Sequence, residues 1–279
     1  MSKQWVTVTT TLPQSLGSYE LSKGNEPHLE ILTPRLLIRP LTQSDLLPFH
    51  RLRRQAEFMR HTTCGRPDRD LDETQSKLND LISAPTSPHQ LPFPTYFGVF
   101  LRTTDELIGD GGVHTLVSPA CGWPELGCKF GREYCGFGYG TEFLQALTSW
   151  WWSLPRQRGN DGGRNDEFGP ATGVERAGPV AVRIPVHPDT IIWECHGGQD
   201  EGDYGGDRGL RKDTAACRGD CKAIEQLYAW IAPDNHASQR MASKTGLEHF
   251  INWQHPIKKI TVMGWRQSRN YCPAYLTKL

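Results

Sequence analysis

The stretch "PELGCKFGREYCGFGYGTEFLQAL", Pro124 to Leu147, passes from an alternating segment through closely spaced glycines into an apolar helical pattern. Its first part, from Glu125 to Phe130, reads as a strand. Its last part opens a helix from about Tyr139 to Leu154, with Phe143, Leu144, Leu147, Trp150, Trp151 and Leu154 on one stripe. Between the two, Gly136, Gly138 and Gly140 take every second position. A tight turn explains one or two of them. All three fit better if a charged group must approach the backbone more closely than a side chain would allow. Loop N–H groups and the positive end of the helix dipole then meet an anion together. The spacing predicts a phosphate cradle between strand and helix.

Two common cradles do not match. A dinucleotide fingerprint needs a glycine three positions after the second, where Thr141 stands, so a dinucleotide-dependent oxidoreductase is a poor reading. The Gly-Lys-Ser/Thr ending of a P-loop is also missing. The bulk numbers narrow the field further. Among 279 residues, 31 Lys and Arg balance 31 Asp and Glu, so no excess positive field collects nucleic acid or anionic membrane. No apolar run approaches the roughly 18 residues of a membrane span, and the N-terminus lacks the basic-then-apolar order of a secretory signal. A soluble, cytoplasmic protein is expected, with its eight cysteines as reduced thiols. Cys217, Cys221 and the "ECH" at Cys195 and His196 lack the paired spacing of a zinc site, so no metal is expected.

Along the chain, residues 1–28 are polar, with little periodicity, and read as a flexible arm. Order begins with "LEILTPRLLIRPL", where Leu36, Ile38 and Pro40 alternate with Leu37, Arg39 and Leu41. A helix is predicted through "TQSDLLPFHRLRRQAEFM", capped at Thr42 with Asp45 in its first turn; Pro48 is tolerable only near its start. A second helix covers "LDETQSKLNDLIS", with Leu71, Leu78, Leu81 and Ile82 on one face. "APTSPHQLPFP" reads as a proline-broken loop. "TYFGVFLR" and "ELIGDGGVHTL" form a hairpin around "TTDE". The run Trp150–Trp152 reads as core packing, because helical spacing explains two of its three rings.

After the tryptophan helix, residues 156–221 are rich in glycine and charge and read as a mostly disordered insertion. Within it, "AVRIPVHPDTIIWECH" suits a short strand or hairpin of no assigned place. Regularity returns with the strand "IEQLYAWIAP", the helix "DNHASQRMASKTG" closed by Gly246, and a last antiparallel pair in "LEHFINWQHP" and "KKITVMGWR". The order is β-α-α-β-β-β-α, insertion, β-α-β-β. That is one α/β (α+β) domain over 29–266, with a C-terminal tail at 267–279.

Three separated segments resemble the GNAT acetyltransferase superfamily, in particular the branch that acetylates ribosomal-protein N-termini. The family's acetyl-CoA motif is Arg/Gln-x-x-Gly-x-Gly/Ala. Cys135 takes its first position here, and Gly138 and Gly140 take the glycine positions. "AWIAPDNHASQRMASKTGLEHF" resembles the segment Asn-x-x-Ser-x-x-(apolar)-x-x-Lys-x-Gly-Phe. Asn235, Ser238, Lys244 and Gly246 are in register, with Leu247 for the usual phenylalanine. "LTPRLLIRPLTQSDL" and "ELIGDGGVH" look like the branch's opening strand and central hairpin. The resemblance spans about Leu32 to Trp265 apart from the insertion. It implies a GNAT fold, a mixed central sheet whose parallel strands "ELGCKF" and "LYAWIA" splay apart, flanked by helices. It also implies acetyl-CoA as co-substrate, its pantetheine arm bonded by main-chain groups in the gap and its pyrophosphate on the glycine loop. The implied cofactor-binding residues are Cys128, Lys129, Phe130, Cys135, Gly136, Phe137, Gly138, Tyr139, Gly140, Thr141, Asn235 and Lys244. Lys129, Arg132 or Lys244 would meet the nucleotide phosphates, unless they are ordinary solvated charges.

Acetyl transfer to an amine makes three demands. The alkylammonium, with a pKa near about 10, must lose a proton. The oxyanion needs a donor, which the family supplies from a backbone N–H on the strand holding Cys128 and Lys129. The departing thiolate takes a proton, in the wider superfamily from a tyrosine whose slot here is Ala242. Ser238, with Asn235, is the expected substitute for organising the sulfur. Glu125 is the expected base, with His114 as the runner-up because histidine titrates near neutrality. The acceptor is an amine on a protein N-terminus or a small molecule. Arg51, Arg53, Arg54 and Arg60 either favour an acidic acceptor or are simply solvated. The competing reading is a non-turning acyl-CoA-binding module, for which the missing tyrosine and the long insertion speak. Oligomeric state is left open.

Overall fold

A computed structural model describes residues 6–10, 13, 29–62, 64–83, 94–118, 121–154, 156, 182–186, 188–194, 222–254 and 260–269. In chain order the elements are β1 (Val6–Thr10), β2 (Ile31–Leu32), β3 (Leu36–Arg39), α1 (Leu46–Arg53), α2 (Ala56–Met59), α3 (Leu71–Ile82), β4 (Tyr96–Leu101), β5 (Leu107–Thr115), β6 (Glu125–Phe130), α4 (Tyr139–Ser153), β7 (Val182–Val186), β8 (Trp193–Glu194), β9 (Lys222–Ala223), β10 (Gln226–Ile231), α5 (His236–Lys244), β11 (Glu248–Gln254) and β12 (Thr261–Ser268). They divide into two compact units, residues 1–14 with 154–225 and residues 15–153 with 226–279.

The larger unit is built on one eight-stranded sheet in the order β11-β12-β10-β6-β5-β4-β3-β2. Every neighbouring pair is antiparallel except β10 and β6, which run parallel. This is the mixed α/β architecture that the motifs imply. One face carries a core of Phe49, Leu52, Phe58, Met59 and Leu78 from α1–α3 against Phe100 and Leu107, with Leu81 and Ile82 partly buried beside it. The other face takes α4, whose Phe143, Leu144, Leu147 and Trp151 are buried. Trp150 meets Phe97 edge-on at 5.2 Å between ring centroids, and the Trp152 indole donates to Gln267 Oε1 at 2.7 Å. The tryptophan run is therefore core packing with one ring at a polar edge. Trp151→Ala is expected to cost about 3–5 kcal/mol, read as a lower denaturant midpoint at unchanged slope.

Several expectations are corrected here. The helix from Thr42 is not continuous. Thr42 opens a 3-10 turn, its N–H donating to Asp45 Oδ2 at 2.8 Å, before α1 begins at Leu46 with Pro48 in its first turn. The chain then breaks at Gln55, whose backbone is extended. Its side-chain amide accepts from Arg132 N–H at 3.0 Å and donates to Glu133. That long-range tie outweighs local helix propensity. Leu71, expected on the buried face of α3, stands exposed at the first position after the cap Asp70. The proposed tail boundary falls inside β12: Gln267 is buried, and its amide donates to Thr245 O at 3.1 Å.

The smaller unit corrects the arm and the insertion in part. Val6–Thr10, read as loose, pairs antiparallel with Val182–Val186, from Val6↔Val186 to Thr10↔Val182. β8 and β9 also pair, and Thr10 Oγ1 donates to Ala223 O at 2.8 Å. Arg156 holds Glu225 with two hydrogen bonds of 2.8 and 2.9 Å, both side chains buried. β-branched runs form strands only when a partner exists, and this partner lies across the whole domain in sequence. The remaining residues of the arm and insertion lie outside the described ones.

Candidate active site

β6 and β10 touch at one register pair, Tyr228↔Glu125, sealed by Tyr228 N–H donating to Pro124 O at 2.8 Å. Beyond that point no further pair joins them. Peptide groups alternate sides along a strand. With Pro124 O turned toward β10 and Gly131 N–H turned back to Ile108 O on β5, the peptide groups of Cys128 and Phe130 face the opening. By the same alternation, those of Trp230 face it from β10. A split sheet with main-chain donors and acceptors along its edge accepts an extended ligand as a substitute strand.

The split leads to the glycine loop. Arg132–Tyr134 form a 3-10 turn, Gly136 and Gly138 adopt φ of +88° and +83°, and α4 begins at Tyr139. The glycines have two different jobs. A Cβ on Gly136 would meet nothing within 4 Å, and one on Gly138 only Arg35 Nη2 at 3.4 Å. The loop at these two positions therefore borders open space, as a ligand cradle must. Gly140 is packed instead: a Cβ there would lie 2.8 Å from Met241 Sδ, so it lets α5 approach α4. The residues present fit a phosphorylated thioester such as acetyl-CoA, with the free edges of Cys128 and Phe130 for its arm and the N-terminus of α4 for its phosphates.

A clamp that sequence reading missed fixes the loop. Glu142, in the first turn of α4, accepts from Thr33 Oγ1 at 2.6 Å, Arg35 N–H at 2.9 Å and Arg35 Nε at 2.6 Å. Arg35 also donates to Phe137 O at 2.9 Å and lies over the Tyr139 ring at 4.6 Å. Burial pushes the Glu142 carboxyl up, but these donors together hold it below its ordinary value. The signal was the Arg of "TPRLL" and the Glu of "GYGTEF", unremarkable until the fold brings them together.

The other expected residues divide. Asn235 caps α5, its side-chain oxygen accepting from Ser238 N–H at 3.1 Å. Both residues line the same cavity of about 1540 Å³, as do Cys135, Tyr139, Thr141 and Lys244. Phe137 is exposed on the loop. Ala242 is 1 % exposed, so the tyrosine slot is packed. Lys129 lines this cavity too, but its ammonium is bonded to buried Asp110 and stands 4.6 Å over the Phe58 ring. Arg132 pairs with Glu57 at 3.1 Å on the surface. Cys128 lies on the α4 face beside Phe143, where burial pushes its thiol up to about 12.

The opposite face of β6 holds Glu125, half-buried. Oε2 accepts from Ser118 Oγ at 2.5 Å and Oε1 from Trp230 Nε1 at 2.7 Å. Burial raises its pKa above the ordinary carboxylate value, and these two neutral donors counter that only in part. It forms no ion pair among the described residues. His114, on β5, faces the same side, its Nε2 2.6 Å from where a Cβ on Gly127, two positions along β6 from Glu125, would stand. His114 is exposed toward the cavity; the protein walls around it, and then the Lys129 charge, push it down to about 4. The four arginines are engaged: Arg51 with Glu106, Arg53 buried against Asp68, Arg54 on Arg69 O, and Arg60 with Asp234.

Fold and site together define a class, a mixed-sheet transferase fold split between two parallel strands above a glycine-rich helix start. A family model described as an acetyltransferase (GNAT) domain matches residues 35–248, and the chain belongs to the GNAT acetyltransferase family. Solved structures of similar fold include a GNAT-family acetyltransferase from Bacillus anthracis, at 14% identity and a TM-score of 0.51, covering 87% of this chain and 100% of that one. Another is the ribosomal L7/L12 α-N-protein acetyltransferase RimL in complex with coenzyme A, at 12% identity and a TM-score of 0.51, covering 86% and 97%. At these identities the likeness is one of fold. Among curated proteins, none matches the chain in sequence. No helix among the described residues is long and apolar enough to cross a membrane, and none of their His, Cys, Asp and Glu groups could hold a metal ion.

Proposed function

We propose that the protein is an acetyl-CoA-dependent N-acetyltransferase that acts on a primary amine, of a protein N-terminus or a small molecule, by direct attack in a ternary complex. The observation that carries this is Glu125. A carboxylate without a cation stands at the apex of the β6–β10 split, where the open main-chain edge begins. Acetyl-CoA, when bound, supplies an activated acetyl carbonyl. Glu125 receives the proton of the incoming ammonium, directly or through a water. The peptide N–H groups of the β6 edge stabilise the oxygen that gathers charge. Ser238, half-buried on the first turn of α5, stands in for the missing tyrosine beside the sulfur. Direct attack is supported because the only thiol on β6, Cys128, is held protonated on the far face and offers no covalent relay.

The test is release of free thiol from acetyl-CoA by the full chain in the presence of a panel of amines. The expected pH profile follows from the sign of the Glu125 shift. A base acts ionised, so kcat/KM rises with pH and levels off above a limb that lies higher than the ordinary carboxylate range. A limb at or below that range would remove Glu125 from the role. Saturable acetyl-CoA binding without thiol release from any amine would favour the non-turning module.

A further inference from the structure

On the acceptor side of β6, one polar cluster is left over by the chemistry above. Asp110, on β5, is fully buried. Its Oδ1 takes both the Lys129 ammonium and the Tyr96 hydroxyl, the latter at 3.0 Å. Its Oδ2 is buried without a hydrogen-bond partner. A buried carboxylate with one oxygen unsatisfied is costly, and a buried ion pair is by itself a weak source of stability, so fold stability alone does not account for this pair. Lys129 has three N–H bonds. One goes to Asp110 and one toward Tyr96 Oη at 3.3 Å, which leaves a third for the cavity that all three residues line. The Lys129 side chain is 19% exposed and Asp110 is 1%, so anything entering the cavity meets the ammonium first. The His114 ring, 4.9 Å from the Tyr96 ring, adds a neutral imidazole on the same face. Glu125 and Lys129 are i and i+4 on one strand face, so their Cα atoms are about 13 Å apart. Gly127 stands between them, where a Cβ would meet the His114 ring at 2.6 Å.

We infer that Lys129, backed by Asp110 and Tyr96, is an anchoring subsite for a carboxylate on the acceptor, which makes the preferred acceptor a peptide N-terminus with an acidic side chain in its first three residues. The inference rests on the transferase reading and names its substrate class. An extended peptide rises about 3.3 Å per residue, so with the α-amine at Glu125 its third residue stands about 7 Å on, and its own carboxylate side chain and the Lys129 side chain together span the remaining gap of about 6 Å. A polyamine has the opposite fit: its second ammonium would face Lys129, and Asp110 is already taken up beneath it.

The experiment compares the peptides Ala-Glu-Glu-Tyr-Ala and Ala-Lys-Lys-Tyr-Ala with spermidine, using thiol release by the full chain and calorimetric titration of each peptide. The acidic peptide is expected to have a kcat/KM at least about tenfold above the basic one, carried by KM, and to bind more tightly in the titration. Lys129→Met should erase that difference while the KM for acetyl-CoA stays put. Because that change strands Asp110 as a buried lone charge, the double variant Lys129→Met/Asp110→Asn removes both charges and should behave alike. Equal rates for the two peptides, a preference for spermidine, or an acidic preference that survives the double variant would each overturn the subsite and leave the transferase intact. Absence of thiol release with every acceptor would instead overturn the transferase reading, and the subsite with it.

Discussion

Glu125→Gln is expected to lower kcat by about 10²- to 10³-fold while the KM for acetyl-CoA changes little. The substitution is nearly isosteric and removes the carboxylate at the apex of the split. Ser118 and Trp230 both donate to Glu125; an amide in its place keeps its oxygen on the indole N–H and turns its NH₂ to the Ser118 oxygen, which accepts once the hydroxyl rotates. The exchange costs at most about 1–3 kcal/mol of local stability, well short of unfolding a domain of this size. A loss of rate at full secondary structure is therefore the expected pattern. It is checked by steady-state kinetics beside circular dichroism, across a pH series. Full turnover at neutral pH in the variant would give the proton to another group, with His114 next in line despite its lowered pKa.

Gly138→Val is expected to weaken acetyl-CoA binding by about 100-fold or more, or about 2.7 kcal/mol. Gly138 has φ of +83°, a conformation that a β-branched residue enters only at a cost of about 1–3 kcal/mol. The added side chain also projects into the open cradle, with Arg35 Nη2 its single near neighbour at 3.4 Å. Relief of the strain would turn the loop N–H groups away from the ligand. The Arg35–Glu142 clamp anchors both sides of the loop, so the rest of the fold should hold and Tm should fall by only a few degrees. Unchanged affinity would show that the loop is a turn and no more.

Much of this was legible in the sequence where the information is local. The glycine spacing, the hairpin around "TTDE", the α4 stripe and the Gly246 stop of α5 each depend on residues within a turn or two of one another. What could not be read depends on distant partners. Lys129 looks like a phosphate lysine until β5 sets Asp110 directly across from it. Glu125 looks like a surface carboxylate beside a proline until Trp230, 105 residues on, donates to it from β10. The helix from Thr42 breaks because Gln55 is bound by Glu133, 78 residues away, with no proline or glycine to announce it. Val6–Thr10 is strand-like in composition, yet its partner Val182–Val186 lies in the stretch of the insertion that sequence reading leaves without a place. The three alternating glycines were grouped as one cradle, whereas Gly140 serves the contact between α4 and α5.

The central claim is that main-chain groups of the β6 edge and the Gly136–Tyr139 loop hold acetyl-CoA. Isothermal titration of the full, folded chain with acetyl-CoA tests it without any need to know the acceptor. One saturable site of micromolar affinity is predicted, abolished or severely weakened in Gly138→Val and retained in Glu125→Gln. No heat with folded wild-type protein, or equal affinity in wild type and Gly138→Val, would contradict it.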